Sequence, residues 1–86
     1  MDVNLNGKVA LVTGVGPNIG GGLALMLGKY GAKVACNDIR PEVAEATVKR
    51  LERNGVEAIA VPGDVSDEEQ VKTYVQKVID TWGQID

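Results

Sequence analysis

The segment Thr13-Gly14-Val15-Gly16-Pro17-Asn18-Ile19-Gly20 is the first place in the chain where residue types and spacing could do chemistry. It follows an apolar run, Lys8 to Thr13, and opens a helical pattern. A glycine-rich turn between a strand and a helix leaves main-chain N–H groups free at the helix N-terminus. The helix dipole adds about half a positive charge there, and the two together suit a pyrophosphate. Glycine is needed where φ is positive and where a Cβ would collide with the phosphates. The simple G-x-G-x-x-G pattern is met at Gly14 and Gly16, but its last position is Ile19. Taken alone, the segment also suits a tight connection that needs glycine only for turning and packing. A second group, Asp38, ends the next apolar run. In a doubly wound sheet that carboxylate lies beside the glycine-rich turn and accepts hydrogen bonds from the hydroxyls of an adenosine ribose. The alternative is a turn residue ahead of Pro41.

Three short apolar runs must position these groups: Lys8 to Thr13, Lys33 to Asn37 and Glu57 to Val61. Each has strand length and is almost continuously apolar, as parallel strands covered on both faces are. Helical patterns separate them. From Asn18 to Tyr30, Ile19, Leu23, Met26, Leu27 and Tyr30 share one face, while Gly20, Ala24 and Gly28 form a small-residue stripe that lets the helix approach a sheet closely. Pro41 suits a first helical position; Ala44, Val48 and Leu51 share a face, and Gly55 is the stop. The spacing predicts a third helix opening at Ser66 in a capping box with Glu69, with Val71, Val75, Val78 and Trp82 along its face and Gly83 at its end. Gln84-Ile85-Asp86 then points toward a further strand. The β-α-β-α-β-α order implies an α/β fold, the N-terminal half of a Rossmann doubly wound parallel sheet with right-handed crossovers. Residues 1–86 are expected to be one partial dinucleotide-binding domain that stops before the fourth strand.

Composition narrows the partners. The 86 residues are 44% hydrophobic and 24% charged, with a net charge of −3 and no phenylalanine, so Val, Ala, Leu and Ile must build the core. No basic run is present, which argues against nucleic acid or an anionic membrane as partner. The longest uninterrupted apolar stretch, Leu23 to Leu27, is too short to span a bilayer, and Met1 to Leu5 lacks the features of a secretory signal. The lone Cys36 cannot form an internal disulfide, and a reducing, cytoplasmic setting is the expectation. With no histidine and one cysteine, neither a metal site nor a Cys-His nucleophile is expected.

The chain resembles the short-chain dehydrogenase/reductase family. That family's cofactor loop reads T-G-x-x-x-G-x-G; Thr13, Gly14 and Gly20 match it, and Asn18 stands where the second motif glycine belongs. Asn tolerates positive φ better than other non-glycine residues, and the expectation is that Asn18 adopts it. The likeness continues at Lys8-Val9-Ala10-Leu11-Val12-Thr13, Tyr30-Gly31-Ala32-Lys33-Val34, Gly63-Asp64-Val65-Ser66 and Trp82-Gly83-Gln84-Ile85-Asp86. The resemblance implies that Gly14, Gly16, Pro17, Asn18, Ile19 and Gly20 line a dinucleotide pyrophosphate, that Asp38 holds the adenosine ribose with Ile39 against the adenine, and that Asp64 accepts from the adenine amino group with Val65 packed on the ring. Asp64 also reads as a turn residue and Val65 as core. The family's catalytic Tyr-x-x-x-Lys does not occur; Tyr74 has Lys77 at the wrong spacing, and Tyr30 and Tyr74 read as surface or packing residues.

An NAD(H)-dependent oxidoreductase acting on a carbonyl or alcohol is the first reading, with NAD expected rather than NADP because a carboxylate at Asp38 repels a 2′-phosphate. No catalytic residue is assigned within the chain, and the 86 residues alone are expected to show no turnover. A non-catalytic nucleotide-binding or interaction module is the alternative, and another Rossmann user such as a methyltransferase is a third; fold by itself does not separate them. In the strand order 3-2-1-4-5-6, the first strand lacks a neighbour here, and its edge carries no charge beyond Lys8. That edge is expected to be covered by the remainder of the same enzyme or by a second copy in a homo-oligomer, and part of the third helix's apolar face is expected to be left open.

Overall fold

The computed structural model describes residues 4–16 and 19–86. Its elements run β1 (Val9–Val12), α1 (Ile19–Lys29), β2 (Lys33–Cys36), α2 (Pro41–Arg53), β3 (Ala58–Ala60) and α3 (Glu68–Trp82). The strands form one parallel sheet in the order β1-β2-β3, with Val9 opposite Lys33, Val12 opposite Cys36, and Val34 opposite Ala58. This is the α/β architecture expected from the alternation of apolar runs and helical patterns.

Strand side chains alternate between faces, and both faces are dry. Val12, Val34, Cys36 and Ala58 pack with Ala24, Leu25 and Leu27 of α1 and with Val48 and Leu51 of α2. Val9, Leu11, Ala35, Ile59 and Val61 pack on the other side with Val71, Tyr74, Val75, Val78 and Trp82 of α3. The central strand is inaccessible throughout Val34, Ala35 and Cys36. Burial pushes the Cys36 thiol up to about 12.

The small-residue stripe of α1 does face the sheet. Ala24 is fully buried, a Cβ on Gly20 would collide with the carbonyl oxygen of Gly14, and a Cβ on Gly28 would collide with the Val56 side chain. The larger apolar residues Leu23, Met26 and Tyr30 are turned outward and exposed. A helix that rests on glycine comes so close to the sheet that its bulky residues fit only on its flank.

One expectation is corrected. The cap of α3 is Asp67, whose carboxylate accepts from the N–H groups of Glu69 and Gln70, and the helix begins at Glu68. Ser66 instead turns back, its N–H and hydroxyl both donating to Asp64. Part of the apolar face of α3 is left open, as expected: Tyr74 and Val78 are its buried centre, and Val71, Val75 and Trp82 are only half-buried beside them. Tyr74 is therefore a core residue, packed against Gly63, where a Cβ would come within 2.9 Å of the ring. β1 is an edge strand, and at its Val9 end it is bonded to Asp86. Asp86 N–H donates to Val9 O (2.8 Å), and Val9 N–H donates to the Asp86 carboxylate (2.8 Å).

Two outcomes are expected. Gly28→Ala gains about 0.5–1 kcal/mol of helix propensity, yet overpacking against Val56 costs about 1–3 kcal/mol, so the variant should unfold at lower urea. Combining it with Val56→Ala should cost less than the sum of the two single changes, because the pair touches; additive costs would disprove the contact. Cys36, protonated and buried, should react with a thiol reagent only at the rate of unfolding; fast labelling in native buffer would contradict its burial.

Candidate functional site

The C-terminal ends of the three parallel strands open on the same side of the sheet, so the turns that follow them converge. Thr13 and Gly14 after β1, Asn37, Asp38, Ile39 and Arg40 after β2, and Gly63, Asp64 and Val65 after β3 line one cleft of about 460 Å³. Gly14 has φ +65°, a conformation that favours glycine. The contact of Gly20 with the Gly14 carbonyl keeps the start of α1 against this turn. Gly21 N–H donates to Gly16 O at 2.9 Å, which continues the turn into the helix.

The cleft therefore brings together Gly14, Asp38, Ile39, Asp64 and Val65 from the expected set. Ile39 and Val65 are exposed, at 62% and 58%, so each presents an apolar side chain to whatever enters. Gly16 borders the cleft through Arg40, whose guanidinium lies 3.8 Å from the position of a Gly16 Cβ. Gly20 lies behind the turn rather than in the cleft. Pro17, Asn18 and the Ile19 side chain lie outside the described residues, and the expected positive φ of Asn18 falls there.

Asp38 is buried, and its Oδ1 accepts from both the N–H (3.0 Å) and Nε (3.1 Å) of Arg40. It is a turn residue ahead of Pro41 and a cleft carboxylate at once. Those hydrogen bonds and the Arg40 charge hold its carboxyl below the usual carboxylate range. The described residues make no hydrogen bond to Oδ2. Asp64 is similarly held down by the Ser66 hydroxyl and N–H, both on its Oδ1.

Sequence reasoning missed Asn37 as more than a strand residue. It is buried, and its side-chain amide donates to Val61 O (2.9 Å) and Gly63 O (3.1 Å). Its main chain donates to Val12 O (2.8 Å) and accepts from Val15 N–H (3.0 Å). One residue thus ties the ends of all three strands at the floor of the cleft. The signal was present: a polar side chain inside an otherwise apolar buried run must find partners there. Thr13, Arg40 and Gly63 were likewise not assigned to the site. Among the described residues no group of His, Cys, Asp and Glu could hold a metal ion, and no helix is long and apolar enough to cross a membrane.

Comparison with known proteins gives a consistent result. The model of the short chain dehydrogenase family matches residues 8–86. An uncharacterized oxidoreductase of Thermotoga maritima is 44% identical over 98% of this chain, which covers 33% of that protein. Versicolorin reductase 1 of Aspergillus parasiticus is 42% identical over 95% of the chain and 32% of its own length. The chain thus spans about a third of the length of the curated relatives it matches. Among solved structures, a 7 alpha-hydroxysteroid dehydrogenase complexed with NADH and 7-oxo glycochenodeoxycholic acid superposes with a TM-score of 0.94 at 29% identity, over 99% of this chain and 33% of that one. NAD+-bound xylitol dehydrogenase superposes with a TM-score of 0.90 at 41% identity, over 95% of this chain and 32% of that one. With the glycine turn, the parallel sheet and the converging strand ends all in place, the chain belongs to the short chain dehydrogenase family.

Proposed function

We propose that the chain is the NAD(H)-binding portion of an oxidoreductase that acts on a carbonyl or alcohol. The observation that carries this reading is the single cleft in which the glycine turn, Asp38 and Asp64 meet. The residues fit the adenosine half of a dinucleotide. Asp38 Oδ2 accepts from the ribose hydroxyls, Ile39 and Val65 sandwich the adenine with their exposed side chains, and Asp64 accepts from its amino group. Gly14 and Gly16, followed by Pro17, Asn18, Ile19 and Gly20, bring the main chain against the pyrophosphate at the start of α1. The bound nicotinamide supplies or takes the hydride; the residues of this chain bind and orient the adenosine end and carry no proton in the reaction. The names of the relatives support an oxidoreductase, and the titles of the two solved structures support a nicotinamide dinucleotide.

Asp38 selects NAD over NADP, because an ionised carboxylate beside the 2′ position repels a phosphate there. Like charges about 4 Å apart interact by about 1–4 kcal/mol, so NAD+ should bind about fivefold or more tighter than NADP+. Asp38→Ser should narrow that preference and leave Arg40 to attract the phosphate. A wild-type preference for NADP(H) would overturn the assignment.

A pH dependence follows from the same pair. Asp38 has its pKa depressed on folding, so its contribution to stability is present above the ordinary carboxylate pKa and is lost as pH falls through the depressed value. NMR titration of the Asp38 carboxyl should therefore show a midpoint below that of an unpaired aspartate. Arg40→Met should move it upward; an unchanged midpoint would show that Arg40 is not the cause.

A further inference from the structure

We infer that Thr47, a residue of α2 that does not line the cleft, positions the glycine turn for the pyrophosphate. This inference rests on the function proposed above. Thr47 is buried at 8% exposure, and its hydroxyl donates to Val15 O at 2.8 Å, sharing its proton with Val43 O at 3.0 Å. The Val43 contact is the local one that a helical threonine makes to the preceding turn. The Val15 contact is not local: it spans 32 residues and reaches the middle of the glycine turn. The two ends of the Val15 residue are thereby fixed. Its N–H donates to Asn37 O at 3.0 Å, its carbonyl accepts from Thr47, and its side chain is fully buried between them. Gly14 and Gly16 on either side have no Cβ to hold them, and Gly14 at φ +65° has more conformational freedom than any other residue type. A turn of this composition holds its amides in one arrangement only if something outside it takes up the slack. Val15 is the one residue of Gly14-Val15-Gly16 with a side chain, and Thr47 is the side chain that reaches its carbonyl. Preorganised amides bind an anion without first losing that freedom, which is why a residue outside the cleft governs affinity within it.

The test is calorimetric titration of the protein with NAD+ and, separately, with adenosine, alongside thermal unfolding. Thr47→Val keeps the shape and removes the donor. It should weaken NAD+ by about three- to tenfold, the worth of one hydrogen bond, while adenosine, which has no phosphate, should bind within about twofold of wild type. Thr47→Ser restores the hydroxyl and should restore NAD+ affinity. A folded Thr47→Val protein that binds NAD+ as tightly as wild type would overturn the inference, as would a parallel loss for NAD+ and adenosine, which marks a general structural role. Should Thr47→Val fail to fold, Thr47→Cys, of similar bulk and a weak donor, is measured in the same way and judged by the same two ratios. Wild-type protein that binds neither ligand would instead overturn the proposed function.

Discussion

The burial of β2 on both faces governs the rest of this structure. A strand whose Val34, Ala35 and Cys36 are all inaccessible needs a neighbour along each edge and a helix layer on each side. Parallel neighbours can be reached only by crossovers, and right-handed ones return the chain to the same end of the sheet every time. The two helices on one face and α3 on the other are the outcome. So is the cleft, because each strand then ends, C-terminally, beside its neighbours. The position of the site is thus a consequence of how the core is dried.

That arrangement leaves main-chain groups at the strand ends without ladder partners, and buried polar groups must be paired. Asn37 resolves most of this by bonding to Val12, Val15, Val61 and Gly63 together. Asp38, the next residue, has the opposite task. One of its oxygens is committed to Arg40, which keeps the carboxylate ionised, and the other is left unbonded by the described residues. Adjacent residues at the end of one strand therefore divide the work: one holds the floor of the cleft together and the other offers it a charge.

Close approach is the second theme. Glycine at positions 20 and 28 lets α1 rest on the Gly14 carbonyl and on Val56. The same closeness leaves Leu23, Met26 and Tyr30 outside the core. On the opposite face α3 packs through a larger residue, Tyr74, and it is Gly63 that makes room. Each layer solves the same spacing problem with the small residue on a different partner.

The order of elements, the parallel sheet and, within the cleft, Gly14 and Asp38 were legible in local signals, whereas Ile39, Asp64 and Val65 were reached only through the family resemblance. Continuous apolar runs bounded by glycine mark buried parallel strands, and a glycine-rich turn with an aspartate at the next strand end points to the cleft where the two meet. Asn37 and Thr47 were not legible in their roles. Thr47 does fall on the helix face that Ala44, Val48 and Leu51 define, but helical spacing says only that it points inward. Its partner is the carbonyl of Val15, and a carbonyl is the same at every residue, so no sequence pattern announces which one a hydroxyl will meet. The cap of α3 was misplaced by a single position for a related reason: Ser66 and Asp67 both suit a cap. Ser66 is taken up by a local turn, donating to Asp64 two residues before it, and Asp67 is left to cap the helix. Side-chain periodicity determined which faces of α2 and α3 are buried, while on α1 the small-residue stripe took the place of the bulkier face; the main-chain partners of the buried polar groups were decided by the approach of segments far apart in the chain.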